Sequence, residues 1–143
     1  MSDKPLEKKG DAFSKWTGED HQSEPYNKNG RPVVKHDMLN TLLREEKIEE
    51  ANALLAKGFE PDFSGTDFRA LHLSGLHTDG LDFSNSYFRM ADLRGLDLRN
   101  CNLDGASLHS AKITGCYFPK PLSAEEIRLS VEHGTRLRYR WRS

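Results

Sequence analysis

The stretch that decides the fold runs from Pro61 to Lys120 and reads, in fives, PDFSG TDFRA LHLSG LHTDG LDFSN SYFRM ADLRG LDLRN CNLDG ASLHS AKITG CYFPK. The third position of each five is a large apolar residue in every unit but one, where Thr78 replaces it. A period of five is neither the two of a half-buried strand nor the 3.6 of a helix. The stretch therefore predicts a solenoid whose successive faces each take five residues.

The first position of each five forms a second column of mostly small or aliphatic residues, as at Ala91, Leu96 and Cys101. The other three positions are polar or glycine in units such as ADLRG at residues 91–95. Apolar side chains gain free energy by leaving water, so we expect the first and third positions to point inward. The second, fourth and fifth positions are expected to face water or to form corners.

Units such as ADLRG and LDLRN resemble the A(D/N)LxG unit of the pentapeptide-repeat family, and the resemblance covers twelve consecutive units, residues 61–120. It implies an all-β solenoid, a right-handed quadrilateral β-helix with four units to a coil and about three coils. Residues twenty apart should then stack in interior columns, and Thr78 is expected to hydrogen-bond a backbone group. The columns hold Phe63, Phe83 and Leu103; Phe68, Phe88 and Leu108; Leu73, Leu93 and Ile113; and Thr78, Leu98 and Phe118.

A short solenoid exposes apolar ends and unpaired backbone edges, so we expect the flanking segments to cap it. Apolar residues recur at near-helical spacing from Leu39 to Leu55, and Gly58 follows them. Glycine after such a pattern is typical of a helix terminator. We therefore predict one helix over residues 38–57.

A second helix is predicted on the other side of the repeats. Ser123 and Glu126 form a capping-box pattern, in which each side chain bonds the other's backbone N–H. Gly134 is placed to stop the helix. The predicted helix is short, over residues 124–133.

The chain is thus predicted to be one small domain with a tail. The expected parts are a flexible polar leader (1–36), an N-terminal capping helix (37–60), the pentapeptide-repeat β-helix (61–120) and a C-terminal capping helix with an Arg/aromatic tail (121–143). No stretch approaches the roughly eighteen apolar residues of a membrane span, and the N-terminus lacks the apolar core of a signal peptide. We expect the protein to stay in the cytoplasm unless a specialised secretion system exports it.

The residue types that enzymes use for catalysis or metal binding occur in this sequence without the spacing typical of an active site. Cys101 and Cys116 fall in the inward first position, where buried free thiols are expected rather than a disulfide or a catalytic thiol. His72 and His77 fall on adjacent faces, where their rings do not meet on one metal. No phosphate loop, nucleophile elbow or zinc spacing occurs. We therefore predict no enzyme, no catalytic residue, no cofactor and no metal.

Both tails carry aromatic side chains that suit contact with a partner protein. The leader is either a docking arm or a solvated segment whose aromatics have no contact role. Residues 136–142 alternate arginine with apolar residues, so that an extended conformation puts the two kinds on opposite sides. The apolar side either packs on the solenoid or, with the arginines, forms a site for a partner or a polyanion. The predicted partner-binding residues are Trp16, Tyr26, Arg138, Tyr139, Arg140 and Trp141.

The solenoid surface offers a candidate charged wall. Arg69, Arg89 and His109 are twenty residues apart in the outward fourth position, so they should form a column on one face. The column either recognises an acidic partner or is neutralised by the neighbouring Asp67 and Asp92.

These patterns predict a non-catalytic protein–protein interaction module, an adaptor or accessory subunit of a larger bacterial assembly. Some members of the family mimic DNA and bind bacterial topoisomerases such as gyrase, and that is one alternative. Residues 61–120 carry six Lys and Arg against seven Asp and Glu, a balance that departs from the strongly acidic walls that mimicry requires. Polyanion binding through the basic aromatic tail is the other alternative, which the net charge of -1 disfavours. The partner's identity and the oligomeric state stay open.

Overall fold

The structure is a computed structural model that describes residues 31–140. Within these residues it contains three helices, α1 (Met38–Arg44), α2 (Ile48–Ala56) and α3 (Ala124–His133). Between α2 and α3 the described chain forms isolated parallel β-bridges rather than continuous strands. The longest of these helices has 10 residues, too few to cross a bilayer.

The bridges show how the chain winds. Asp67 pairs with Tyr87 and Tyr87 with Ser107, each in parallel and each twenty residues further on, and His72 pairs in the same way with Asp92. Each coil therefore takes four pentapeptide units, as predicted. Continuous strands do not form because a face of five residues leaves room for only one bridged position before the next turn. The right-handed sense of the coil stays a prediction.

The coils and faces are named as follows. Coil 1 is residues 61–80, coil 2 is 81–100 and coil 3 is 101–120. Face 1 takes the first unit of each coil (61–65, 81–85, 101–105), face 2 the second, face 3 the third and face 4 the fourth.

Backbone hydrogen bonds join the coils in a repeated pattern. The N–H of Leu93, in a third position, donates to Lys112 O in the coil above at 2.9 Å. The N–H of Lys112, in a second position, donates back to Ala91 O at 2.9 Å. The N–H groups of fifth positions also point toward the coil above, since Gly95 N donates to Thr114 O at 3.0 Å. The upper edge of coil 3 therefore presents the N–H groups of its third and fifth positions.

The interior columns are confirmed. The rings of Phe63 and Phe83 stack with centroids 5.5 Å apart, and those of Phe68 and Phe88 at 5.2 Å. Phe68 also meets Phe83 edge-to-face at 5.8 Å, which locks the two stacks together. Thr78 Oγ1 donates to Asp97 O at 2.6 Å, the backbone hydrogen bond that we predicted.

The single helix predicted over residues 38–57 is wrong, because α1 and α2 are separated by a turn. Glu46 has φ 62°, and its N–H donates to Leu43 O while the N–H of Lys47 donates to Leu42 O. These two hydrogen bonds, from an N–H to the carbonyl five residues earlier and from an N–H to the carbonyl three residues earlier, are typical of the end of a helix. Glycine usually takes the left-handed position in such a helix end. Glu46 takes it here, and its carboxylate lies 2.7 Å from His72 Nδ1 on face 3.

The helix predicted over residues 124–133 matches α3. Ser123 Oγ accepts the Glu126 N–H at 3.1 Å, and Gly134 ends the helix in the left-handed region at φ 77°. The role of the three helices as caps stays a prediction.

The predicted leader is too long at its C-terminal end. Val33 bridges Thr66 in parallel, its N–H donates to Gly65 O at 3.0 Å, and its carbonyl accepts the Asp67 N–H at 2.9 Å. Residues 32–35 therefore lie along the lower edge of coil 1, with Pro32 buried. They belong to the folded part of the chain.

Both cysteines are free thiols in the inward column, as predicted. Cys101 Sγ donates to Thr78 O at 3.0 Å and Cys116 Sγ to Leu93 O at 2.9 Å. Burial raises the pKa of the Cys101 thiol to about 12 and also raises the pKa of Cys116. Neither thiol forms the thiolate readily near neutral pH, so both are structural.

Candidate functional site

The C-terminal segment, residues 135–140, packs on coil 3. Leu137 is fully buried, its N–H donates to Ala106 O at 2.8 Å, and its carbonyl accepts the Gly105 N–H at 2.8 Å. Arg136 forms an antiparallel bridge with Ser107. The segment thus lies along the upper edge of coil 3 at the corner between faces 1 and 2.

Tyr139 continues this edge with its side chain. Its hydroxyl accepts the Leu103 N–H at 2.8 Å and donates to Cys101 O at 3.2 Å. Burial raises the pKa of the Tyr139 hydroxyl to about 12, so it stays protonated and can serve both groups at once. At this edge the Tyr139 side chain makes the hydrogen bonds that the backbone of a further coil would otherwise make.

The helix α3 completes the edge over face 2. Leu108 N donates to Ser130 Oγ at 2.9 Å, and Ser110 N donates to Val131 O at 2.9 Å. Ser130 Oγ passes a hydrogen bond on to Thr135 O at 2.7 Å. The upward N–H groups of faces 1 and 2 in coil 3 are therefore all partnered.

The predicted alternation of the tail is confirmed for residues 136–140. Leu137 and Tyr139 face the solenoid, while Arg138 and Arg140 are exposed. The Arg138 guanidinium lies 2.9 Å from the Glu126 carboxylate, and this hydrogen bond lowers the pKa of Glu126. Arg140 contributes its N–H to Pro121 O at 2.9 Å. The packing interpretation therefore holds for Leu137 and Tyr139. The partner-binding role of the tail residues stays a prediction.

Three predicted contact residues lie outside the described residues: Trp16, Tyr26 and Trp141.

A second candidate surface lies on face 2. Arg89 and His109 line a shallow depression of about 200 Å³, together with Tyr87, Ser107, His133 and Gly134. The Arg136 guanidinium lies 5.8 Å from the centre of the Tyr87 ring, and its Nη1 donates to Gly105 O at 3.0 Å. The cationic face is the name used below for Arg69, Arg89, His109, His133 and Arg136.

The charges on this surface are only partly compensated. Arg69 pairs with Asp67 at 3.1 Å, so the predicted neutralisation holds at the lowest position of the column. Asp92 does not reach the column, because its carboxylate lies 2.7 Å from Arg94 on face 3, and that guanidinium lowers the pKa of Asp92. Among residues 31–140, no carboxylate lies within 4.0 Å of the Arg89 guanidinium. Within residues 31–140 the cationic face therefore holds three arginines against one adjacent carboxylate.

A family model described as pentapeptide repeats matches residues 62–95 and 82–118, with 8 copies. Residues 62–118 therefore form a pentapeptide-repeat region. No curated protein and no solved structure matches it significantly.

Sequence reasoning found part of the cationic face. The column of Arg69, Arg89 and His109 follows from the five-residue period. His133 and Arg136 join it only because Gly134 turns the chain closely against His109, where a Cβ on Gly134 would lie 3.2 Å from His109 Cγ. That long-range contact leaves no periodic signal, although the lone glycine after α3 marks the turn itself.

In the described part of the chain, no three His, Cys, Asp or Glu side chains are grouped closely enough to hold a metal ion.

Proposed function

We propose that the protein is a non-catalytic interaction module, an adaptor or accessory subunit of a larger assembly, that binds an acidic surface of a partner protein through its cationic face. The observation that carries this proposal is Arg89 at the centre of face 2, whose guanidinium has no carboxylate within 4.0 Å among residues 31–140. Arg136 lies on the same face beside Tyr87. Arginine forks bind carboxylates with two parallel hydrogen bonds, so this face suits Asp and Glu side chains.

The solenoid makes the cationic face a rigid template. Coils joined like paired strands repeat at roughly 4.8 Å, so Arg69, Arg89 and His109 rise in a column at about that spacing. Each column position is held by an interior residue next to it, such as the buried Phe88 beside Arg89. A surface that is ordered before binding loses little conformational entropy when the partner arrives.

In this proposal the flanking elements cover part of the solenoid's edges, namely positions below coil 1 and faces 1 and 2 above coil 3, and keep those parts from pairing edge-to-edge. Below coil 1, Arg44 Nη2 donates to Asp67 O at 2.8 Å, and Asn52 Nδ2 donates to Gly75 O at 3.0 Å. Above coil 3, α3 and the C-terminal segment partner the N–H groups of two faces. Covered edges are how natural β structures avoid unwanted association.

The partner is a protein rather than a nucleic acid. Three arginines neutralise few phosphates, and nucleic-acid binding depends steeply on the number of phosphates neutralised. Face 1, next to the cationic face, carries Asp62, Asp82 and Asp104, which would repel a continuous phosphate backbone. A folded partner can instead present a local acidic patch to face 2 alone.

The exposed tail residues form a second part of the proposed contact. Arg138 and Arg140 point away from the solenoid. We keep Trp16, Tyr26, Tyr139 and Trp141 in the proposal with them, since aromatic and arginine side chains dominate binding energy in protein interfaces.

The test is affinity capture of the full chain from its native cell, with nuclease treatment, followed by quantitative mass spectrometry. We compare wild type with the double variant Arg89→Glu, Arg136→Glu, and we use Lys57→Glu as the control, because Lys57 is exposed at the end of α2, outside face 2. A partner bound through face 2 should be lost at least several-fold from the double variant and retained by the control. A stoichiometric partner that the double variant retains in full would refute the proposed site.

A further inference from the structure

Among residues 31–140, the upper edge of coil 3 is closed on two faces and open on the other two. On faces 3 and 4 the upward N–H groups belong to Ile113, Gly115 and Phe118. Within residues 31–140 none of these N–H groups has a hydrogen-bond acceptor, and the carbonyls of Ala111 and Cys116 have no donor. A row of unpaired backbone groups is a template for one more strand.

The coils below define what would fit this edge. One coil down, Leu93 N and Gly95 N donate upward to the carbonyls of Lys112 and Thr114, and Ala91 O accepts from Lys112. Ile113, Gly115 and Ala111 occupy the same positions one coil higher. The edge therefore matches an extended segment that runs parallel to it and offers a carbonyl, an N–H and a second carbonyl at strand spacing.

The interior side of this edge is incompletely covered. Leu93, Leu96 and Leu98 of coil 2 are 1%, 4% and 2% exposed, so the coil above covers them almost fully. Their counterparts Ile113, Cys116 and Phe118 are only partly buried. An apolar side chain placed over Ile113 would extend the column and bury that surface.

The outer side of the edge is positively charged. Lys112 is exposed and stacks in the column above Asp92, whose carboxylate already binds Arg94. Among the described residues no carboxylate lies within 4.0 Å of the Lys112 ammonium, and Lys120 is likewise exposed at the end of face 4. Charge complementarity thus calls for an acidic side chain over Lys112.

We propose that residues 111–118 bind an extended segment of a partner protein by parallel β-strand addition. The segment carries a small residue over Ala111, an acidic residue over Lys112 and an apolar residue over Ile113. A second copy of this chain fits poorly, because it would bring two Lys112 and two Lys120 side chains into one short interface. The site lies on faces 3 and 4, so this proposal can be tested independently of the proposed function of the cationic face on face 2.

The test uses the full chain and a synthetic twelve-residue peptide built on the unit Ala-Glu-Leu-Thr-Gly. Backbone amide exchange is followed by NMR. In the free protein the amides of Ile113 and Gly115 should exchange rapidly, because no group within residues 31–140 protects them. Saturating peptide should slow both by at least about tenfold, as expected when a hydrogen bond forms.

A proline variant tests the backbone pairing. Ile113→Pro removes one free N–H and no hydrogen bond of the described chain, and the bridged Lys112 already has the extended conformation that precedes proline well. We expect about tenfold weaker peptide binding for Ile113→Pro and a smaller loss for the matched control Ile113→Ala.

A charge swap keeps the test decisive if the proline variant fails to fold. Lys112→Glu should weaken binding of the glutamate peptide several-fold, and a peptide with lysine in place of glutamate should restore it. Arg89→Glu on face 2 should leave peptide binding unchanged, which separates this site from the proposed function.

Four outcomes would overturn the proposal. The peptide fails to bind at millimolar concentration, or Ile113→Pro binds it as tightly as Ile113→Ala. Alternatively the two amides are already protected in the free protein, which would mean that another part of this chain covers the edge. Protection that rises with protein concentration would assign the edge to a second copy instead.

Discussion

At the scale of single residues, the fifth position of each repeat decides the local backbone conformation. Gly75, Gly95 and Gly115 take φ of 90°, 79° and 77° there. The same position holds Met90 at φ 60°, although a residue with a Cβ is strained in this region. Met90 is 60% exposed, so its side chain gives little packing in return.

Met90→Gly should therefore stabilise the protein. Relief of the left-handed strain outweighs the greater flexibility of glycine in the unfolded chain, and the net gain should be about 0.5–1 kcal/mol. The Met90 N–H bond to His109 O does not depend on the side chain. Chemical denaturation measures the free energy of unfolding. Met90→Ala is the control, since it removes the side chain but keeps the Cβ, and it should leave stability nearly unchanged; a stabilised alanine variant would contradict the account.

Residue patterns explain how much of the solenoid could be predicted. Phe63, Phe68, Phe83 and Phe88 recur in one register, and a register of five has a single structural meaning, so the columns followed directly. The left-handed turn at Glu46 could not be predicted from the sequence, because neither glycine nor proline marks it. The turn follows from the packing of α1 and α2 against coil 1, which local sequence does not report.

At the scale of elements, the C-terminal segment works as part of the fold. Tyr139→Phe would leave the Leu103 N–H and the Cys101 carbonyl without their partner. Unsatisfied groups that are partly removed from water cost about 1–3 kcal/mol, so the free energy of unfolding should fall by that amount. Tyr117→Phe, which removes the same hydroxyl from a side chain that is 58% exposed, should change little. Equal effects of the two variants would argue against this role for Tyr139.

The hydrogen bond between Glu126 of α3 and Arg138 of the C-terminal segment should make the stability of the fold depend on pH. The Arg138 hydrogen bond lowers the pKa of Glu126 in the folded protein. A carboxylate with a lowered folded pKa stabilises the fold above its unfolded pKa, about 4.3, and that contribution is lost as pH falls through the folded value.

Glu126→Gln should therefore reduce stability near neutral pH and lose less stability than wild type on acidification from pH 5 to 3. Glu125→Gln makes the same charge change at an exposed neighbour and is the control. Denaturation curves at several pH values measure the difference. Parallel pH profiles for wild type and Glu126→Gln would contradict the assigned pairing.

The elements also set the limits of sequence reasoning about the site. Alternation in residues 136–140 predicted which side chains face the solenoid, because an extended segment has only two sides. It could not predict that Tyr139 would satisfy two backbone groups of coil 3, or that Arg136 would join face 2. Those contacts depend on where α3 returns the chain, and this is a long-range property of the fold.

At the scale of the whole molecule, the faces differ in charge while the backbone repeats. Face 1 carries Asp62, Asp82 and Asp104, and face 2 carries the cationic face. A net charge of -1 hides this division. Local fields steer and orient a charged partner more than the net charge does, so one face can be specific while the chain as a whole is nearly neutral.

The central claim is that face 2 binds an acidic partner, and the most direct measurement is the dissociation constant of the purified complex against salt concentration. Wild type and the Arg89→Glu, Arg136→Glu variant are compared between 50 and 300 mM salt, conditions that screen exposed charges to different extents. The account predicts that wild-type binding weakens as salt rises, and that the double variant binds several-fold more weakly with a flatter or reversed salt dependence. Equal affinity and an equal salt slope for the two proteins would contradict it.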